Sequence, residues 1–413
     1  MLDVAAFINP GDGVWWGQGS AEPGPLVNTV LDAVDRVGPI RAFCGLTWNE
    51  RLSGDLPELL TVISYGGLGQ LRLLSRTGKL DVVPCHYSAI PRMFAQGQLP
   101  NDVGLVQVSP PGPDGTVTLG TGVEYVADAI PHTRTLIAEI NQQMPATVGG
   151  PRLPLSAFAA FIETDRPLVE APTRFPDGVD LRIADHVASI VEDGDTIQIG
   201  VGSLPSAVLD SLSGHSDLGF HSGMITDGVL ALVEKGVITG ARKEIDQGIV
   251  VTGAALGTAQ AYGRLHEFPV EFRPASYTHA PAVLSELRSL VSINSAIEVD
   301  LLGQVGAELA RGVHIGAVGG QVDFSRAAAL TGSRSIIALR STNGSGEYST
   351  IVPRLHSGVV TTARVDVDAV VTEHGVAMLT GCTVAERALR LIEVAAPEHR
   401  EALERSLADQ EMS

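Results

Sequence analysis

The chain has 413 residues, too many for one ordinary core and suited to two of about 200 residues each. Apolar residues make up 44%, charged residues 18% and aromatics 5%, with 46 glycines, which excludes a disordered chain and asks for many tight turns. A formal charge of -19 argues against nucleic acid or an anionic membrane as partner, since both would repel it.

The opening run Met1-Leu2-Asp3-Val4-Ala5-Ala6 has no basic region followed by an apolar core. No window reaches the roughly 20 apolar residues of a membrane span. Cys44, Cys85 and Cys382 are far apart and support neither a disulfide framework nor a zinc knuckle. A reducing, cytoplasmic setting is therefore expected.

The first element is also half of a repeat. Pro10-Gly11-Asp12-Gly13-Val14-Trp15-Trp16-Gly17-Gln18-Gly19-Ser20 aligns with Asp193-Gly194-Asp195-Thr196-Ile197-Gln198-Ile199-Gly200-Val201-Gly202-Ser203 at one offset, 183 positions. Each copy reads as a Gly-Asp turn, a buried strand, a Gly-x-Gly loop, then a helix with Pro23 or Pro205 near its start. The helices are predicted over Leu26 to Val34 and Ala207 to Leu212. Further strands are predicted at Leu105-Val108, Leu136-Ile140, Gly248-Thr252, Ser335-Leu339 and Ala369-Thr372, short apolar runs without alternation that suit a parallel sheet covered on both faces. Helices are predicted from Asp227 onward, over Thr383-Ile392 and over Pro397-Leu407. The expected fold is α/β, with two similar open parallel-sheet domains over residues 1–175 and 180–413. Pro172, Pro176 and Gly178 punctuate a boundary near residues 170–182.

Three glycine-rich loops are candidates for chemistry. Gly200-Val201-Gly202-Ser203 follows a strand and opens a helix, so its N–H groups can hold an anion or merely turn the chain. It lacks the third glycine of a dinucleotide fingerprint. Gly316-Ala317-Val318-Gly319-Gly320-Gln321 can bring backbone donors to a reacting carbonyl oxygen, or simply connect two elements. Ser341-Thr342-Asn343-Gly344-Ser345-Gly346-Glu347 is polar enough for an exposed lid. His86, His221 and His374 have no second ligand at metal spacing, so each is either a hydrogen-bonded structural residue or an acid–base group.

Nine further segments carry a resemblance over nearly the whole chain. They are Ile8-Asn9-Pro10-Gly11-Asp12, Pro84-Cys85-His86-Tyr87-Ser88-Ala89-Ile90-Pro91-Arg92, Gln107-Val108-Ser109-Pro110-Pro111, Ala138-Glu139-Ile140-Asn141-Gln142-Gln143-Met144-Pro145, Ile225-Thr226-Asp227-Gly228, Ser292-Ile293-Asn294-Ser295, Val299-Asp300-Leu301-Leu302-Gly303-Gln304-Val305, Val318 to Phe324, and Val370-Val371-Thr372-Glu373-His374-Gly375. With the Gly200 loop, they resemble the acetyl-CoA hydrolase/transferase family of the 4-hydroxybutyrate CoA-transferase type. The resemblance implies two CoA-transferase (NagB/RpiA-like) domains with the active site between them, acyl-CoA and an acceptor as substrates, no separate cofactor, and a homo-oligomer.

In that family a glutamate attacks the thioester, CoA opens the resulting anhydride to a glutamyl-CoA, and glycine amides hold the oxyanion. The resemblance places this glutamate between His-Ser and Met-Ile-Thr-Asp-Gly, where this chain has Gly223. Ala317 stands where the family has a first glycine, and Ser345 where a lysine is common. Gly200, Val201, Gly202, Ser203, Ala317, Gly319, Gly320, Gln321 and Ser345 are the implied substrate-binding positions. Glu298 is tempting as a substitute nucleophile, but its strand-like surroundings favour a structural role; Glu22, Glu139 and Glu347 are not separated by sequence. The expectation is an acyl-CoA transferase or hydrolase that passes the acyl group directly to an acceptor or water, with His221 or His86 as base and the acceptor in the space vacated at Gly223. The alternative is a non-catalytic acyl-CoA-binding homologue.

Overall fold

The computed structural model of the chain describes residues 2–172 and 175–411. Residues 173 and 174, within the boundary expected at 170–182, lie outside the described residues.

The first sheet contains β1 (Gly13–Trp16), β2 (Ile40–Phe43), β3 (Leu60–Ser64), β4 (Leu80–Val82), β5 (Val103–Val108), β6 (Thr135–Asn141) and β7 (Ala160–Thr164). Their order is β4-β3-β2-β1-β5-β6-β7, and every pairing is parallel. The second contains β8 (Thr196–Ile199), β9 (Gly219–Phe220), β10 (Leu290–Asn294), β11 (Arg334–Ala338), β12 (Ala369–Thr372) and β13 (Gly375–Met378). Its order is β9-β8-β10-β11-β12-β13, parallel except for the closing hairpin. Helices include α1 (Gly24–Val37), α2 (Glu124–Ala129), α3 (Gly178–Ala188), α4 (Ser203–Ser211), α5 (Asp227–Glu234), α6 (Gln321–Thr331), α7 (Val384–Val394) and α8 (Pro397–Glu411).

The central strands β1, β5 and β6 are buried on both faces, which is why they carry no polar alternation. Trp16 packs with Leu26 and Val30 of α1 in one apolar layer. Its neighbour Trp15 points the other way, edge-on to Phe94 at 5.7 Å, into a core that also holds Ile225 and Phe272 of the second half. The two halves thus share one interior, and among the described residues three backbone bridges cross between them, Gly66 to Ala317, His86 to Gly319 and Gly122 to Ala254.

The repeat is visible atom by atom. The Asn9 N–H donates to Asp12 Oδ2 at 2.7 Å, and the Glu192 N–H to Asp195 Oδ2 at 2.6 Å. Gly11 and Gly194 have φ of 89° and 91°, and Arg134 and Arg334 clamp the two aspartates. In each sheet the chain runs outward from the first strand and later returns to its other side, at β1/β5 and β8/β10. The Gly-x-Gly loops therefore lie at the carboxyl ends of the strands where the order reverses, the usual place for a ligand crevice in open α/β sheets.

One predicted strand lies elsewhere. Val250–Thr252 pairs with Val270–Phe272 and reaches the six-stranded sheet through a single bridge, His221 to Val251. The reason is that β9 is only two residues long before the chain turns at Ser222 and Gly223, leaving little edge to extend. No helix among the described residues is long and apolar enough to cross a membrane.

Candidate active site

The segment from His221 to Gly228 leaves β9 and enters α5. His221 is fully buried and donates from Nε2 to the Thr278 carbonyl at 3.1 Å, while its Nδ1 is buried without a partner. Burial, then the Lys243 charge, pushes its pKa down to about 4, so it is neutral near pH 7. Both of its ring nitrogens are thus enclosed by protein.

Gly223 is partly exposed, but the space beside it is filled. A Cβ on Gly223 would stand 2.8 Å from Cε1 and 3.0 Å from Nε2 of His279. Where open space for an acceptor was expected, the His279 ring lies against Gly223 at the point where a side chain would begin. The helical turn Ala275–Thr278 delivers that ring, with the His279 N–H donating to the Ala275 carbonyl at 3.1 Å. The same ring explains Gly320, where a Cβ would lie 2.4 Å from Nε2.

Tyr87 and Phe324 enclose His279, with ring centroids 4.6 and 5.0 Å away. Behind them lies a carboxyl that the sequence reading missed. Glu124 Oε2 accepts from Tyr87 Oη and from Gln18 Nε2, both at 2.5 Å, while Oε1 is buried without a partner. Burial raises this carboxyl to about 7, outweighing the hydrogen bonds from Tyr87 and Gln18. Only one glycine separates Glu124 from position 223: its N–H donates to the Gly253 carbonyl at 3.2 Å, and the Gly253 N–H to the Gly223 carbonyl at 3.1 Å.

The 316–321 turn closes the other side. Ala317 is tolerated because it faces Gly66, where a Cβ would lie 2.4 Å from its own. Gly319 adopts φ 52° and accepts the Tyr87 N–H at 2.9 Å, which sets the exposed His86 at its rim. Gly320 is the N-cap of α6, and Gln321 donates to Thr362 Oγ1 at 3.0 Å. Gly223 and Gly320 thus meet at the His279 ring, and the His86–Gly319 bridge lies beside its neighbour Tyr87.

The remaining substrate-binding candidates line other cavities or begin a helix. Gly200, Val201 and Gly202 share about 260 Å³ with Thr226, Asp227 and Gly228, just beyond Gly223. Ser203 begins α4. Ser345 lines a cavity of about 1050 Å³ with Arg311, Tyr348 and His356. Glu298 borders it too, but both its oxygens accept from His356, backbone and ring, at 2.7 Å. Glu22 is held by Thr47, Glu139 is buried on Arg166, and Glu347 is exposed. Among the described residues no group of histidine, cysteine or carboxylate side chains could hold a metal ion. The signals for His279 and Glu124 were weak: a histidine in Tyr277-Thr278-His279-Ala280-Pro281 and a glutamate opening a short helix acquire partners only from distant segments.

Two open α/β domains with glycine turns meeting over an interdomain crevice define the CoA-transferase class of fold. The sequence matches the acetyl-CoA hydrolase/transferase N-terminal domain over residues 59–171 and the C-terminal domain over 257–407. It is 41% identical over 331 residues to 4-hydroxybutyrate coenzyme A transferase of Clostridium kluyveri, covering 79% of this chain and 77% of that protein. The crystal structure of RipA from Yersinia pestis superposes with a TM-score of 0.92 at 32% identity, covering 100% of this chain and 96% of that one. A 4-hydroxybutyrate CoA-transferase from Porphyromonas gingivalis gives 0.82 at 35% identity, covering 98% and 96%. The chain belongs to the acetyl-CoA hydrolase/transferase family.

Proposed function

We propose that this protein is an acyl-CoA transferase or hydrolase in which the acyl group passes directly from the thioester to a bound acceptor or to water, with no glutamyl-CoA intermediate. The observation that carries this reading is glycine at position 223 with the His279 ring lying against it. A carboxylate is absent where the family resemblance places the nucleophile, and the His279 ring would crowd the first atom of any side chain there. Of the carboxylates that could replace it, Glu22, Glu139 and Glu298 are each engaged elsewhere, and exposed Glu347 accepts from Ser345 at 3.1 Å on its own loop.

In this reading the Gly200–Ser203 turn and the positive end of α4 hold an anionic part of CoA, and the Ala317–Gln321 turn faces the thioester oxygen. The Ser345 loop covers the bound molecule. The enzyme needs no further cofactor and works as a cytoplasmic homo-oligomer, whose assembly size-exclusion chromatography with light scattering would measure.

The test is free-thiol release from acetyl-CoA, butyryl-CoA and succinyl-CoA, each offered with water, carboxylates, alcohols and amines. Thiol release is expected with at least one pairing. Measurable acyl-CoA binding without release under any pairing would leave the non-catalytic binding protein as the function.

A further inference from the structure

The His279 side chain is 4% exposed yet lies between two partly exposed glycines, 223 and 320. The Thr278 hydroxyl donates to the Pro274 carbonyl at 3.3 Å and accepts from His279 Nδ1–H at 2.8 Å. In the tautomer with the proton on Nδ1, Nε2 presents its lone pair toward the glycines and has no hydrogen-bond partner among the described residues. Gly320 caps α6, so the first-turn amides of that helix, which have no intrahelical partner, begin beside Nε2. An oriented base with an unshared lone pair, placed beside donors suited to an oxyanion, is the arrangement direct acyl transfer needs. His221 cannot fill this role because both its nitrogens are enclosed. His86 sits on the rim.

Resting on the proposed direct transfer, we propose that His279 is its catalytic general base, entering the space of the missing glutamate from another segment. Nε2 removes the proton from water or an acceptor hydroxyl as that oxygen bonds to the thioester carbon. The carbonyl electrons move to oxygen beside the α6 amides and then return, breaking the C–S bond. The departing CoA thiolate takes the proton from Nε2–H. The products are an acid or ester and free CoA, with the imidazole regenerated. Burial, with the neighbouring His221, pushes its pKa down to about 3, which keeps the ring uncharged near pH 7.

The test uses His279→Ala and His279→Asn in the full chain, with thiol release from the most active acyl-CoA and CoA affinity by calorimetry. Loss of about 100-fold or more in kcat is expected in both, with CoA affinity kept within about threefold. Added imidazole should restore part of the His279→Ala rate and none of the His279→Asn rate, because only alanine leaves a ring-sized space. If alanine misfolds, the asparagine variant with an unchanged circular dichroism spectrum decides by its rate. Retained kcat, or loss that imidazole does not rescue in a folded His279→Ala protein, overturns the assignment. Absence of thiol release by the unaltered protein overturns direct transfer itself, a result distinguishable from the other two.

Discussion

The two copies of the strand–turn–helix unit have gone separate ways. In the first, the turn is sealed: Gly19 adopts φ 58°, a Cβ there would meet Leu256 of the second half at 2.8 Å, and Gly17 and Gly19 are buried. In the second, the turn is open: a Cβ on Gly200 would meet nothing within 4 Å, and Val201 is 41% exposed. One local sequence design therefore serves as an interdomain seam in one place and as the wall of a ligand crevice in the other. What decides is the chain laid over each turn.

The largest effect should come from asking position 223 to resume a carboxylate. Gly223→Glu alone meets the His279 ring and should lower the melting temperature by several degrees without creating carboxylate-to-carboxylate CoA exchange. Combined with His279→Ala it has room, and exchange with ping-pong kinetics should appear; its absence in a folded double variant would place the family nucleophile elsewhere. Gly19→Ala comes next, expected to cost about 1–2 kcal/mol from backbone strain and the crowded seam, read from the urea midpoint. Gly200→Ala should shift that midpoint by under about 0.5 kcal/mol while weakening acyl-CoA binding, so equal destabilisation at 19 and 200 would erase the contrast.

The smallest effect is on pH dependence. His221 and His279 have folded pKa values of about 4 and 3, below the ordinary 6.5, so their stabilising contribution is full above pH 6.5 and is lost as the pH falls toward those values. Glu22 and Glu124 are raised by burial from 4.5 to about 7, so theirs is full below 4.5 and is lost as the pH rises through 7. The two pairs oppose one another between 4.5 and 6.5. His279→Asn removes one side, so the stability of the variant relative to the parent should improve as the pH falls across that window. Urea midpoints at three pH values check it.

The sheets were legible because their signals are local. The Gly-Asp turns, the apolar strands and the prolines near helix starts are written within a dozen residues, and the offset of 183 exposes the duplication directly. Position 223 was legible through its flanking motif. What fills that position was not: His279 lies 56 residues further on and meets Gly223 only because the Ala275–Thr278 turn packs against Tyr87 and Phe324. Glu124 was hidden for the same reason, since Gln18 and Tyr87 reach it from 106 and 37 residues away. Loop geometry is a short-range property of sequence. Occupancy of a crevice is a long-range one.

The most direct test of direct transfer is the intact mass of the protein during turnover of an acyl-CoA that releases thiol. With direct transfer, free CoA accumulates while the protein mass stays unchanged. A protein species heavier by CoA less one water would mean that a carboxylate elsewhere forms a glutamyl-CoA thioester, and would contradict it.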